Sequence, residues 1–113
     1  ADRTRILDRF VVLVTAPEGA SAETLARSLV AEGLAACVNR VPGIRSTYRW
    51  QGQVQDDAET LLVIKTTAAA YPALERRIRE LHPYEVPEVI AMPIVRGSEP
   101  YLSWLDASVT AHD

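Results

Sequence analysis

Six consecutive residues, Phe10-Val11-Val12-Leu13-Val14-Thr15, form a short, β-branched run that is apolar without alternation. A strand with one face in water alternates apolar and polar side chains with a period of two. A run that does not alternate reads instead as a strand buried on both faces, which places it inside a sheet. Leu61-Leu62-Val63-Ile64 carries the same signature. With 113 residues, 48% of them hydrophobic and 24% charged, the chain has room for one core, and the two runs belong to it.

Between and after these runs the pattern changes period. Ala22, Leu25, Ala26, Leu29 and Val30 recur at helical spacing, with Ser21 as the expected N-cap and Gly33 as the C-terminal stop. Tyr71, Leu74, Ile78 and Leu81 make a second helical stripe, with Pro72 in the first turn and Pro83 forcing the end. Two further extended segments, 35–41 and 44–50, are separated by Pro42-Gly43, and the second returns through Trp50-Gln51-Gly52-Gln53 into the acidic stretch Asp56-Asp57-Ala58-Glu59 and the Leu61 strand. Ile44, Ser46, Tyr48 and Trp50 fall on one face of this hairpin, and Arg45, Thr47 and Arg49 on the other. The last strand is read over 89–95, and a short helix over 98–109.

The resulting order is strand, helix, strand, strand, helix, strand, helix, an α+β arrangement with the split βαβ pattern of ferredoxin-like domains. Prolines inside strands belong at sheet edges or bulges, so Pro42 and Pro93 put the second and fourth strands outside, giving the order 4-1-3-2 with both crossover helices on one face. The whole chain reads as a single domain with a core over about 10–109 and frayed ends at 1–8 and 110–113.

With 12 basic against 15 acidic residues the net charge is −3, and the arginines are scattered among acids. That charge pattern does not form a nucleic-acid footprint, and the two central strands lack the aromatic pair on which RNA bases stack. No apolar run approaches the roughly 20 residues of a membrane-spanning helix. One cysteine, Cys37, cannot form an internal disulfide, which together with the absence of an apolar leader leads to the expectation of a cytoplasmic protein. The glycines sit at turns and caps rather than in a phosphate loop, and no nucleophile elbow is present, so no enzymatic activity is expected.

The hairpin around Gly52 is longer than a common strand pair of about 5 to 6 residues each. It therefore overhangs the helices, and Tyr48 and Trp50 on the overhang have no cover from their own chain. Pairing with further copies would shelter them, and a heterologous edge contact closes into a ring, of which a homotrimer is the small solution. Tyr48, Trp50 and Trp104 are the expected interface aromatics.

Seven motifs in order then resemble one family: Thr15-Ala16-Pro17, Leu34-Ala35-Ala36-Cys37-Val38-Asn39, Pro42-Gly43, Tyr48-Arg49-Trp50-Gln51-Gly52, Lys65-Thr66, His82-Pro83-Tyr84-Glu85-Val86-Pro87-Glu88 and Tyr101-Leu102-Ser103-Trp104-Leu105. Over about 10–109 the chain is similar to the CutA divalent-cation tolerance proteins. The resemblance implies a very stable trimer with a fold like that of PII signalling proteins, a link to tolerance of divalent cations, and copper binding in some members. It brings no defined biochemical activity and no required cofactor. Some copper-binding members carry a cysteine before the Thr-Ala-Pro and a histidine pair before the Pro-Tyr, where this chain has Val14 and Leu81.

Candidate site residues fall into two sets. His82, at the corner made by Pro83 and near Glu85 and Glu88, and Cys37, a soft ligand, are the metal candidates for copper or another divalent cation. The competing roles are a helix-capping or subunit-bridging histidine and a cysteine that packs as a small hydrophobe. One histidine and one cysteine cannot close a tetrahedral site, so symmetry or carboxylates such as Glu88 would have to complete it. The second set, Lys65, Glu59, Trp50 and Tyr84, offers a cation, a carboxylate and aromatic walls for a small anionic ligand in a cleft between subunits. The same residues could instead form an inter-subunit ion pair and interface packing.

Overall fold

The computed structural model describes residues 8–110. Its elements in chain order are β1 (Arg9–Pro17), α1 (Ala20–Ala31), β2 (Cys37–Trp50), β3 (Gln53–Thr67), α2 (Tyr71–Leu81), β4 (Val89–Pro93) and α3 (Glu99–Ser108). The four strands form one antiparallel sheet in the order β2-β3-β1-β4, the α+β topology expected from the prolines. No described helix is long and apolar enough to cross a membrane.

Helix boundaries follow local chemistry. Gly19 adopts a φ of +99° that other residues disfavour, so α1 starts at Ala20 and the expected cap, Ser21, lies inside the helix. At the other end Gly33 turns the chain with φ +74° while its N–H bonds the Val30 carbonyl, the usual left-handed stop. Pro72 sits in the first turn of α2, and the residue before Pro83, His82, is held extended at φ −74°, ψ 138°. The Ser98 Oγ accepts from the Tyr101 N–H and starts α3.

The core lies between one face of the sheet and helices α1 and α2. Val12, Val14, Ala16, Leu62 and Ile64 meet Ala22, Leu25, Leu29, Leu74 and Ile78, all buried. Val30 is the exception in the first stripe and is exposed. The alternate residues of the same strands, Val11 and Leu13 on β1 and Leu61 and Val63 on β3, point to the opposite face and are only half-buried. Beside them on β4, Ile90 and Met92 are 50% and 44% exposed. Helix α3 shelters one end only, where Leu105 and Val109 pack with Ala36, Ala70 and Ile94 and Asp106 pairs with Arg9 at 2.7 Å. The expectation that the Phe10–Thr15 strand is buried on both faces is therefore met on one face within a single chain. The chain has one helical layer, and the sheet has two apolar faces.

Strand β1 pairs with β3 only between Arg9↔Thr67 and Pro17↔Glu59, so residues 53–58 of β3 face β2 alone. That part is a two-stranded ribbon, and the molecule measures 47 × 27 × 25 Å. Its tip is a two-residue turn in which Gln51 and Gly52 have φ of +50° and +78°, the type I′ geometry that matches strand twist. A register shift between Val41 and Ile44, with Gly43 at φ +79°, lets β2 run through Pro42-Gly43 as one strand rather than as two segments. Tyr48 and Trp50 remain 41% and 47% exposed on the ribbon. Asp56 and Asp57 staple its arms together: Asp56 accepts from Arg45 Nε at 2.9 Å and Thr47 Oγ1 at 3.0 Å, and Asp57 from the Tyr48 hydroxyl at 2.5 Å.

Of the stretches expected to fray, Asp8 and Thr110 are tied in, through Ala68 N–H to the Asp8 carbonyl at 2.6 Å and Thr110 N–H to the Gly33 carbonyl at 2.9 Å. Residues 1–7 and 111–113, including His112, lie outside the described residues.

Gly33 is constrained twice, by its positive φ and by a Cβ position that would come within 2.9 Å of Thr110 Cβ. Gly33→Ala should lower stability by about 1–2 kcal/mol from the left-handed backbone alone, with a further loss from the clash. In denaturant titrations Thr110→Gly, which removes that Cβ, should recover the second part and not the first. Equal stabilities for wild type and Gly33→Ala would remove this constraint from the fold.

Candidate functional site

The corner after α2 is positioned by a gap in the sheet. Strand β4 ends its pairing at Val14↔Val89, whereas β1 continues against β3 as far as Pro17. The Thr15 carbonyl thus lies past the last β4 partner, and a buried backbone acceptor needs a donor. His82 Nε2 supplies it at 2.8 Å, while Nδ1 accepts from the Tyr84 N–H at 3.0 Å. With Nδ1 accepting, the Nε2 proton is the one that points at the Thr15 carbonyl. The side chain is buried, and its ring centroid lies 4.8 Å from that of Tyr84.

Tyr84 passes this order on to β3. Its hydroxyl donates to Glu59 Oε2 at 3.1 Å. Burial, and then the Glu59 hydrogen bond, push its pKa up to about 12, so the phenol stays a donor at neutral pH. Glu59 is only 4% exposed, and among the described residues its other oxygen, Oε1, has no hydrogen-bond partner.

Between the ribbon and the segment 84–88 lies a groove of about 820 Å³. Tyr48, Trp50 and Tyr84 supply aromatic surface to it, and Glu59, Glu85 and Glu88 supply carboxylates. Its one guanidinium, Arg45, is already bound to Asp56 through Nε and Nη2.

The groove gathers Trp50, Tyr84, Glu59 and Glu88 from the expected sets. Lys65 is not with them. It stands six positions from Glu59 along β3, about 20 Å at strand spacing, and its ammonium bonds Asn39 Oδ1. The expected cation-and-carboxylate cleft is therefore not assembled within one chain. Cys37 pairs across from Lys65 at that same far end and is half-buried, so it is separated from His82. His82, expected as a leading metal ligand, has both ring nitrogens engaged, and among the described residues no group of three or more His, Cys, Asp or Glu side chains is placed to hold a metal ion. Trp104 packs against Tyr101 on α3 in a tilted arrangement with ring centroids 5.5 Å apart, and both rings are exposed. The sequence reading missed the Thr15 carbonyl, Arg45 and the unsheltered face formed by Leu13, Ile90 and Met92. Pro83 signalled the extended His82, but its partner is 67 residues away in the chain.

Comparison with known proteins gives a consistent result. Residues 10–108 match the model of the CutA1 divalent ion tolerance protein family. The chain is 56% identical over 95 residues to the divalent-cation tolerance protein CutA of Thermus thermophilus, covering 84% of this chain and 92% of that protein. The solved Thermus structure superposes with a TM-score of 0.88 at 52% identity, over 90% of this chain and 99% of the other. A chloroplastic CutA of Arabidopsis thaliana is 48% identical over 95% of this chain, which spans only 59% of that longer protein. A structure described as the periplasmic divalent cation tolerance protein CutA of Archaeoglobus fulgidus matches with a TM-score of 0.87 at 32% identity, over 90% of this chain and 99% of that one. These two names overturn the cytoplasmic expectation: the same domain occurs in relatives named for the chloroplast and the periplasm, so a lone cysteine does not fix the compartment. Matched over nearly its whole described length, the chain belongs to the CutA1 divalent ion tolerance family.

Proposed function

We propose that this protein acts in tolerance of divalent cations as a homotrimer in which the copies cover one another's open sheet faces. One observation carries this reading: the second face of the sheet is apolar where it should be polar. An antiparallel sheet with one face in water normally shows polar residues there. Here Leu13, Leu61, Val63, Ile90 and Met92 occupy it without a described helix over them. The two sheet edges are unlike, a 14-residue β2 and a 5-residue β4, so a contact of the β2 edge of one copy with the β4 edge of the next is heterologous, and it closes as a ring where its rotation allows.

Cation contact in this reading is weak and carboxylate-based. Glu85 and Glu88 are exposed at the groove and free to approach an ion, whereas using His82 would require breaking the Thr15 or Tyr84 hydrogen bond. Copper is among the ions that such a site would take, without the selectivity that imidazole and thiolate ligands confer. Within one chain the anionic-ligand reading lacks a cation, because Lys65 lies elsewhere and Arg45 is paired, so a neighbouring copy would have to supply it.

Sedimentation velocity at micromolar concentration should give a species of about three times the chain mass. The double variant Ile90→Glu/Met92→Glu should dissociate it while keeping the helical signal, since both side chains are exposed in the single chain. A monomeric wild type would overturn the assembly.

Calorimetric titration with copper(II) should show weak heat that persists in His82→Asn and is reduced in Glu85→Gln/Glu88→Gln. Loss of the heat in His82→Asn alone would return the imidazole to the ligand set. His82→Asn should also be less stable by about 1–3 kcal/mol, the cost of leaving a buried backbone group unsatisfied, which thermal denaturation would register as a lower Tm.

A further inference from the structure

Glu59 is a buried carboxylate with a single side-chain hydrogen bond among the described residues. A carboxylate offers about four lone-pair sites, and burial of a charge without a partner is costly. Here a side chain 4% exposed receives one phenolic donor on Oε2, and Oε1 has no partner among the described residues. The nearest positive charge lining the same groove, Arg45, is committed to Asp56. The phenol that does bond Glu59 keeps its proton far above neutral pH and so cannot balance the charge.

What surrounds Glu59 narrows the class of partner. The groove walls include Trp50, Tyr48 and Tyr84, with Val86 and Pro87 adding apolar surface. Rings of this kind attract a cation placed over their faces. A bare divalent ion held tightly by protein alone needs several converging oxygen, nitrogen or sulfur ligands, and among the described residues no such group converges on Glu59. An anion would meet Glu59, Glu85 and Glu88. A cation that carries its own hydrogen-bond donors and a hydrocarbon chain matches both the buried acceptor and the apolar walls, and a groove of about 820 Å³ is within the range of small-molecule sites.

We propose that the groove binds a small organic cation, a primary ammonium or guanidinium on a short apolar chain, whose charged end donates to Glu59 Oε1 while its chain lies against Trp50 and Tyr84. Tyr84 is the positioning residue: bound to His82 Nδ1 through its N–H and to Glu59 through its hydroxyl, it fixes the carboxylate and forms one wall. The inference does not require the trimer and uses a different carboxylate from the divalent-cation reading, so each can fail alone.

Trp104→Phe leaves Trp50 as the sole tryptophan and reports on the groove by its emission. Butylguanidinium is expected to give a saturable change in that variant, and butyrate at the same concentration none. Adding Glu59→Gln, which keeps an oxygen acceptor for Tyr84 but removes the charge, should weaken binding roughly tenfold or more. Adding Glu85→Gln/Glu88→Gln should change it far less. Absence of a saturable response, as when a cationic side chain of a second copy already occupies Glu59, overturns the proposal, and so does an unchanged affinity in Glu59→Gln. Should Glu59→Gln not fold, Tyr84→Phe decides: it keeps the carboxylate but removes the hydroxyl that holds it in place, so weaker binding supports the site and an unchanged affinity removes it.

Discussion

A strand that is apolar on both faces needs two covers, and this chain supplies one. Val12 and Val14 are sealed by α1 and α2, while Val11 and Leu13, one residue away on the same strand, look out from the other side of the sheet. Burial of each further leucine- or isoleucine-sized side chain is worth about 1.5–3 kcal/mol, a large share of the 5–15 kcal/mol by which a domain of this size is stable. The period-two geometry of the strand thus carries a demand for association into the fold itself. The helical layer cannot answer it, because both crossovers are right-handed and so deliver α1 and α2 to the same side.

The length mismatch between strands has the second large consequence. Since β4 is short, β1 runs on with an unpaired carbonyl at Thr15, and the chain closes that gap with an imidazole instead of another backbone N–H. From there a series of contacts runs through His82, Tyr84 and Glu59 back to β3. One truncated strand therefore orders the segment 82–88, sets the groove wall, and aims a buried carboxylate into it. The histidine that most resembles a metal ligand in the sequence is consumed by this structural role.

Much of the fold was readable because its determinants are local. Proline in the second and fourth strands marked the sheet edges, the two apolar runs marked its middle, and Gln51-Gly52 marked the turn. Ser21 misled because a permissive glycine two residues earlier offered an earlier start. The site was less readable because its contacts are distant in sequence: Thr15 with His82, and Glu59 with Tyr84, are set by strand register, which composition and spacing do not reveal. Lys65 and Glu59 share one strand face, yet strand rise separates them along it, so within one chain they do not meet and the expected pairing would have to be made between copies. The apolar runs were informative beyond their use: absence of alternation reported a second apolar face, and only the structure shows that no described helix covers it.

These two features meet on the ribbon. Tyr48 and Trp50 are both uncovered aromatics of the kind that interfaces shelter and walls of the groove. A neighbouring copy seated against the ribbon would add a further wall and deepen the desolvation of Glu59, which strengthens any charge interaction made there. Ligand and assembly would then be linked. A cation that binds the assembled groove better than the open one stabilises the assembly by mass action, and weakening the assembly weakens the cation's affinity by the same factor. In that arrangement the extended hairpin is the element through which occupancy of a small groove is felt by the whole oligomer.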